Sequence, residues 1–313
     1  LSGSMTEVAR QHLAVIRNPT AGGARGARFA AVIAELERAG CRVDLHESTS
    51  ADDVRRLAAA LSEGDHQALA VAGGDGTIND ALNGMVPGSA MPFGIIPLGT
   101  ANVLAWEIGL AKASPAQLAA ALRQGSARPV HLGRLFTQAA SQKDAGEDEG
   151  RLFFLMAGAG FDATVVKGVN LALKRRVGKL AYIWEALRQL FINDFPRFDL
   201  EIDGARHDAA SVVVANAAHY GGNYLIATQA SLEEPTFQVC LFRRRGGLSV
   251  LRYAVALDRG TLDRLDDFEV LPGREVSIAT PAGTPLQIDG DPAGETPARI
   301  EPASEQLNLI YPQ

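Results

Sequence analysis

The 313-residue sequence has few cysteines, no long apolar run and no excess of basic residues. Its two cysteines, Cys41 and Cys240, stand far apart, and a chain of this length builds a core without cross-links. We therefore expect two buried free thiols rather than a disulfide. No apolar stretch approaches the roughly 20 residues that span a bilayer. The net charge of −6 argues against a broad nucleic-acid surface, which needs clustered lysine and arginine.

Two common nucleotide-binding signatures are also missing. The sequence contains neither the GxxxxGK[ST] phosphate loop nor the GxGxxG dinucleotide fingerprint. No secretory signal follows Met5, because the residues after it are polar. We therefore expect a cytoplasmic protein without a nucleic-acid partner, which visits a membrane transiently if its substrate is a lipid; the oligomeric state stays open.

The first part of the chain alternates strand patterns with helix patterns. Apolar runs at Leu13–Ile16, Ala68–Ala72 and Phe93–Ile96 predict strands, and Arg42–His46 is predicted to be the second strand. The spacing of apolar residues predicts a helix near Gly26–Ala39, and a second follows Arg42–His46. Such alternation predicts an α/β domain with an open parallel sheet and flanking helices.

The pattern changes after about residue 129, where strand-like runs separated by turn-forming residues predict a mostly antiparallel, β-rich second domain. These runs are Leu152–Met156, Phe198–Ile202, Ser211–Asn216, Thr236–Phe242, Glu275–Ala279 and Leu286–Asp289, with helices near Gly178–Phe191 and Leu248–Asp258. We place a nucleotide-binding α/β domain at residues 5–129 and a β-rich, lipid-substrate domain at 130–305. Residues 306–313 are then a strand that returns to the first domain.

The segment GGDGTIND (73–80) follows a buried strand and opens a helix. Glycines let backbone N–H groups approach phosphate oxygens, and a helix N-terminus adds donors and a positive dipole end. Thr77 and Asp80 have the spacing of a capping box, which predicts Thr77 as the N-cap. The alternative is a tight strand-to-helix turn without a ligand. NPTAGG (18–23) and PLGTAN (97–102) follow the first and fourth strands, at the sheet edge where ligands bind.

Together these motifs identify a family. NPTAGG (18–23), GGDGTIND (73–80) and PLGTANVLA (97–105), followed by GAGFDA (158–163), VVVANAAHYGG (212–222) and QIDGDPAG (287–294), resemble the diacylglycerol kinase catalytic family, which includes bacterial lipid kinases and sphingosine kinases. GGDG alone also occurs in NAD kinases and 6-phosphofructokinases, but this set in this order is specific. The resemblance implies an active site in the cleft between the two domains. It also implies ATP and Mg²⁺ as cofactors and a lipid hydroxyl as acceptor.

The resemblance also implies which residues bind the nucleotide. By position they are Asn18, Thr49, Gly73, Gly74, Asp75, Gly76, Thr77, Asn79 and Thr100. Asp75 is expected to organise magnesium-bound phosphates, because hard cations prefer oxygen ligands. The alternative for Asp75 is a carboxylate that stabilises the turn.

The expected catalytic base lies in the turn Asp289-Gly290-Asp291, where Asp291 matches the family's acidic position. The family more often has Glu there, so Asp291 reaches about one methylene less far. Asp289 is the competitor, and a plain Asp-Gly hairpin turn is the alternative. Glu234 matches the acidic ligand of a structural magnesium found in some bacterial relatives. Pro235 replaces the usual glycine there, and its fixed φ gives the loop another shape.

Two segments bear on lipid access. The apolar stripe of the helix near Gly178–Phe191, which basic residues 174–179 precede, fits either a membrane surface or a packed core. Arg243–Arg245 fit either anion steering or an exposed turn.

Two rival functions are an NAD kinase-like enzyme and a catalytically inactive nucleotide- or lipid-binding regulator. The sequence leaves the identity of the acceptor lipid open.

Overall fold

The computed structural model describes residues 9–19, 25–137, 150–160 and 197–313. The chain forms two compact units, Leu1–Val130 with Glu305–Gln313, and His131–Ser304. The predicted helix near Gly178–Phe191 and the basic residues before it lie outside the described residues. Within the described ranges, no helix combines the length and the hydropathy needed to cross a bilayer.

A parallel sheet forms the centre of the first unit. Its strands are β1 (His12–Arg17), β2 (Arg42–Glu47), β3 (Ala68–Gly73) and β4 (Phe93–Pro97). They lie in the order β2-β1-β3-β4, and the end of the C-terminal strand pairs beside β4, with Leu309 opposite Phe93. All of these pairings are parallel, which confirms the predicted sheet. β3 and β4 are buried along their whole length, as their continuous apolar runs predict.

In the described part of this unit, five helices accompany the sheet: α1 (Gly26–Arg38), α2 (Ala51–Ser62), α3 (Asp75–Leu82), α4 (Val103–Glu107) and α5 (Pro115–Gln124). Their starts follow from local chemistry. Ser50 caps α2 by accepting a hydrogen bond from the Asp53 amide at 3.1 Å. Ser114 and Gln117 form a reciprocal capping box at the start of α5. α1 buries one apolar face, so packing rather than a cap fixes it.

The second unit consists mainly of antiparallel strands. They are β5 (Ala127–Thr137), β6 (Arg151–Phe153), β7 (Met156–Ala159), β8 (Phe198–Ile202), β9 (Ala205–Ala209), β10 (Ser211–Ala215), β11 (His219–Tyr220), β12 (Tyr224–Leu225), β13 (Phe237–Phe242), β14 (Phe268–Gly273), β15 (Val276–Thr280), β16 (Pro285–Ile288), β17 (Asp291–Glu295) and β18 (Ala298–Ile310). A helix, α6 (Gly247–Asp258), and a 3-10 turn (Leu262–Arg264) lie between β13 and β14.

Two sheets enclose the core of this unit. One has the order β14-β13-β10-β7-β16-β17, and the other contains β9, β8, β15 and the first part of β18. Buried side chains from both, such as Val212 and Val239 from the first and Leu200 and Ile278 from the second, form one apolar cluster. The prediction of an antiparallel, β-rich unit is therefore confirmed.

One predicted strand is wrong. The run Leu152–Met156 predicts a single strand, but the chain leaves the ladder at Phe154 and Leu155, between β6 and β7. The backbone N–H groups of these two residues donate to the carboxylate of Asp289 instead, at 2.9 Å each. An acceptor from a distant turn thus replaces the strand partner.

Both cysteines are buried free thiols, as predicted. Desolvation raises the pKa of Cys240 to about 12 and also raises the pKa of Cys41.

Candidate functional site

The loops after β3 and β4 and the residue that follows β1, Asn18, lie at the carboxyl edge of the first unit's sheet. β1 lies between β2 and β3, so the strand order reverses between β1 and β3. Ligands of open α/β sheets bind outside the strand ends at such a reversal. Asn18, which follows β1, donates its backbone N–H to Ala72 at 3.1 Å and its side-chain Nδ2 to Thr77 Oγ1 at 3.2 Å. The structure therefore brings Asn18, the first residue of the first predicted loop, to the start of the second.

The loops after β3 and β4 touch through their backbones. The Leu98 amide donates to the Gly73 carbonyl at 2.8 Å. A Cβ added to Gly99 would lie 2.5 Å from Gly74 Cα, and one added to Gly74 would lie 3.1 Å from Gly99 Cα. A side chain at Gly99 would therefore force the two loops apart. Glycine at these two positions therefore permits the close contact between the loops.

Helix α3 begins at Asp75, with Gly74 as N-cap in an extended conformation. The predicted capping box with Thr77 as N-cap is wrong, because Thr77 lies inside the first turn and is buried. Its predicted partner Asp80 accepts instead from Arg55 at 2.7 Å. A glycine N-cap carries no side-chain acceptor, so the first-turn amides are suited to an anion that supplies one.

Asp75 connects α3 to α4. Its Oδ1 accepts a hydrogen bond from the Leu104 amide, at 3.2 Å, in the first turn of α4. This contact matches the turn-stabilising alternative and leaves the magnesium role as a prediction.

Asn102 is a residue that the sequence analysis missed. It is the N-cap of α4 with φ +47°, and its Nδ2 donates to the Gly99 carbonyl at 2.9 Å. Its Oδ1 is buried and has no hydrogen-bond partner among the described residues. A buried acceptor without a donor is costly unless a ligand supplies one. The signal in the sequence is an Asn directly after a Gly-Thr-Ala turn, because Asn tolerates left-handed backbone.

Arg25 also lies at this edge, and the sequence analysis missed it as well. Its Nη1 donates to the Leu98 carbonyl at 2.8 Å, which places a fixed positive charge beside the loop after β4. The signal in the sequence is a pair of arginines, Arg25 and Arg28, directly after the glycines of NPTAGG. A guanidinium next to phosphate-binding amides is typical of anion sites.

The other residues predicted to contact the nucleotide differ in their exposure and hydrogen bonds. Thr49 is exposed and donates its N–H and hydroxyl to Asp53, at 3.0 and 3.3 Å, and the first of these contacts is the main cause of the lowered pKa of Asp53. Thr100 is exposed in the loop after β4. Asn79 is buried in α3, where its side chain accepts from Asn83 at 3.1 Å. Their contacts with a nucleotide stay predictions.

The predicted acidic turn of the second unit is a two-residue hairpin between β16 and β17. Asp289 and Gly290 form it with φ of +48° and +83°. The Asp289 carboxylate accepts hydrogen bonds from three consecutive amides, those of Phe154, Leu155 and Met156, at 2.9, 2.9 and 3.1 Å. Asp289 thereby holds the hairpin against the chain before β7 and is a structural residue. Asp291 is the half-buried first residue of β17, opposite Ile288.

Glu234 lies in an exposed turn in which its amide donates to the Ser231 carbonyl at 3.1 Å. Among the described residues it belongs to no group of three His, Cys, Asp or Glu side chains that could hold a metal ion. Its role as a magnesium ligand stays a prediction.

The residues that the structure describes include one group of three such side chains, in the first unit. Asp44 Oδ2 accepts from His12 Nε2 at 2.8 Å and from His66 Nε2 at 3.1 Å, and these bonds hold the pKa of Asp44 well below its usual range. Arg42 also donates to this carboxylate, at 3.1 Å. Magnesium prefers all-oxygen ligands, so this cluster is not the predicted Mg²⁺ site. We interpret the His12–Asp44–His66 cluster as a structural hydrogen-bond network that links β1, β2 and the chain before β3.

Comparisons with known proteins cover most of the chain. The model of the diacylglycerol kinase catalytic domain matches residues 12–135, and that of the YegS C-terminal NAD kinase beta sandwich-like domain matches residues 156–311. A diacylglycerol kinase of Bacillus subtilis (strain 168) is 25% identical over 96% of both chains. One of Mycobacterium tuberculosis (strain ATCC 25618 / H37Rv) is 29% identical over 95% of this chain and 94% of its own. The crystal structure of a diacylglycerol kinase from Bacillus anthracis str. Sterne has the same fold, with a TM-score of 0.75 at 18% identity over 98% of each chain.

Proposed function

The chain belongs to the diacylglycerol kinase family, and on that premise we propose that it transfers the γ-phosphoryl group of magnesium-bound ATP to a lipid hydroxyl. A diacylglycerol-like alcohol is the first candidate acceptor. The single observation that carries the proposal is the backbone contact between the loops of Gly74 and Gly99 at the start of α3. Phosphoryl transfer depends mainly on positioning and on charge stabilisation, and this edge supplies groups suited to both.

We assign the triphosphate to the first-turn amides of α3 and to Arg25. The amides are held at the loop junction, and the Asn18–Thr77 hydrogen bond supports the turn from the side of β1. Arg25 adds positive charge at the loop after β4. Fixed donors of this kind need little reorganisation when charge shifts during transfer.

The oxygen atoms at this edge fit a magnesium ion. The Asp75 carboxylate and the buried Asn102 Oδ1, which has no hydrogen-bond partner among the described residues, are hard oxygen donors on the same pair of loops. Such donors match the preference of Mg²⁺, with phosphate oxygens and water completing its shell. When bound, the ion screens the negative charge of the phosphates.

Asp291 is proposed to accept the proton of the lipid hydroxyl at its carboxylate. Asp289, the competitor, holds three backbone amides and is needed for the shape of the turn. The two aspartates of one hairpin therefore have separate assignments. In Asp291→Asn we expect turnover to fall on the order of 10²-fold or more, because the variant loses a general base.

The test is a transfer assay with γ-labelled ATP and Mg²⁺. Separate reactions contain diacylglycerol in detergent micelles, total lipid extract and NAD. We expect label in a lipid product, and transfer of the labelled phosphoryl group to NAD, which gives labelled NADP, would instead favour the NAD kinase alternative. ATP binding without transfer to any acceptor would indicate the inactive regulator.

The matched control for Asp291→Asn is Glu295→Gln, which removes an exposed carboxylate from the same strand. We expect it to keep wild-type turnover. Wild-type turnover in Asp291→Asn would remove Asp291 from the mechanism.

A further inference from the structure

Exposed apolar side chains concentrate on two neighbouring elements of the second unit. Leu248, Leu251 and Val255 of α6 are 87%, 49% and 41% exposed, and Tyr224 and Leu225 of β12 are 37% and 46% exposed. α6 and β12 lie in contact with each other. Among the described residues, the one other large apolar side chain with comparable exposure lies in the first unit. Clustering of this kind marks an interaction surface, whereas scattered exposed leucines do not.

The opposite face of α6 is firmly attached. Tyr253 and Ala256 are buried, and the Tyr253 hydroxyl donates to the Asp267 carbonyl and accepts from the Arg244 amide, both at 3.1 Å. Arg252 forms two 2.7 Å hydrogen bonds with the Asp267 carboxylate. The outward residues at i, i+3 and i+7 are therefore held in place on a fixed helix. A helix that merely faced water would carry polar residues there.

Arginines lie beside this face. Residues 243–259 contain five arginines and one acidic residue, Asp258, in a chain whose net charge is −6. Arg243 and Arg252 form ion pairs with acidic side chains of neighbouring segments, and Arg244 Nε lies 3.7 Å from the Asp267 carboxylate. Arg244 and Arg245 are exposed directly before α6. Tyrosine beside an apolar helix face with adjacent arginines is typical of elements that lie in the interface of an anionic bilayer.

We propose that Leu248, Leu251 and Val255, with Tyr224 and Leu225 beside them, dock the protein reversibly on anionic lipid bilayers, and that Arg244 and Arg245 contact the headgroups. We call this surface the α6 docking face. The proposal rests on the proposed function, because a lipid kinase must reach an acceptor that resides in a membrane. The proposal places the membrane contact on α6 of the second unit. The apolar periodicity of this helix would fit a buried core helix equally well.

The test is co-sedimentation of the intact protein with vesicles of phosphatidylcholine, with and without phosphatidylglycerol. We expect wild-type binding to require phosphatidylglycerol and to weaken with salt. Leu248→Glu and Leu251→Glu should each lower the vesicle partition coefficient at least about tenfold, because each places a charge at the apolar boundary. The matched control is Leu45→Glu, which changes a leucine of the first unit that is 45% exposed and should bind as wild type does.

A second measurement separates docking from catalysis. Phosphorylation of an acceptor in detergent micelles should be unchanged in Leu248→Glu, while phosphorylation of the same acceptor in vesicles should fall with binding. If no variant or acceptor shows transfer but the binding pattern holds, the proposed function fails and the docking face stands.

Three results would overturn the proposal. They are equal binding by Leu248→Glu, Leu251→Glu and Leu45→Glu; equal binding to neutral and anionic vesicles; and conversion of a dimer to a monomer by Leu248→Glu with vesicle binding intact. The last result would show that the α6 docking face packs against a second copy of the chain in a dimer interface. Far-UV circular dichroism checks that each variant is folded, and Leu248→Ala provides a milder change at the same position.

Discussion

Replacing Gly99 with alanine tests the loop junction on which the proposed site depends. The new Cβ would lie 2.5 Å from Gly74 Cα and 2.7 Å from Asn102 Oδ1, closer than atoms of these kinds approach in proteins. Gly74 Cα is backbone, so the conflict cannot be relieved by turning a side chain. Overpacking of this kind costs about 1–3 kcal/mol in the free energy of unfolding.

The same substitution should weaken nucleotide binding. Gly74 is the N-cap of α3, so moving it shifts the first-turn amides away from the position that a phosphate would occupy. We expect the dissociation constant for magnesium-bound ATP to rise by about tenfold or more, which corresponds to about 1.4 kcal/mol. Urea denaturation measures the first effect and titration calorimetry the second.

Gly26→Ala is the matched control, because a Cβ there comes no closer than 3.9 Å to Arg17, and alanine suits the start of α1. We expect it to keep both the stability and the affinity of the wild type. If Gly99→Ala matched this control in both measurements, the close contact would be refuted. If it lost stability but bound ATP normally, the contact would be structural and unconnected to the nucleotide.

Three further predictions concern other parts of the chain. Asp289→Asn should lower the free energy of unfolding by about 1–3 kcal/mol in urea titrations, because an amide cannot accept from three backbone N–H groups; an unchanged midpoint would contradict its structural assignment. Cys41 and Cys240 should not react with a thiol reagent in the native protein at pH 8 and should both react in denaturant, because burial raises their pKa values; fast native labelling would argue against this burial. The lowered pKa of Asp44 contributes stability that is complete above its unfolded value of about 3.9 and is lost as the pH falls below it. The difference in urea midpoint between wild type and Asp44→Asn should therefore be at its full value well above pH 4 and narrow below pH 4, and a difference independent of pH would show that this carboxylate does not titrate as inferred.

Several features were readable from the sequence because they depend on short-range order. β3 and β4 are buried on both faces, so each appears as a continuous apolar run. The glycine-rich segments fall where these strands end, which locates three loops at one edge of a parallel sheet. The order of the motifs identified the family, because several motif matches in a fixed order seldom arise by chance.

The tertiary structure alone decided which hydrogen-bond and packing partners the residues of these motifs have. The family resemblance favours Asp291 over Asp289 as the base, but the Asp-Gly-Asp pattern does not show what Asp289 does, and three amides more than 130 positions away give it a structural role. Thr77 has the spacing of a cap, but Gly74 takes the cap position because its backbone is extended there. The apolar face of α6 has the period of a core helix, and only the packing of Tyr253 shows which side is covered. Periodicity reflects neighbours along the chain, whereas burial and hydrogen-bond partners depend on segments that only folding brings together.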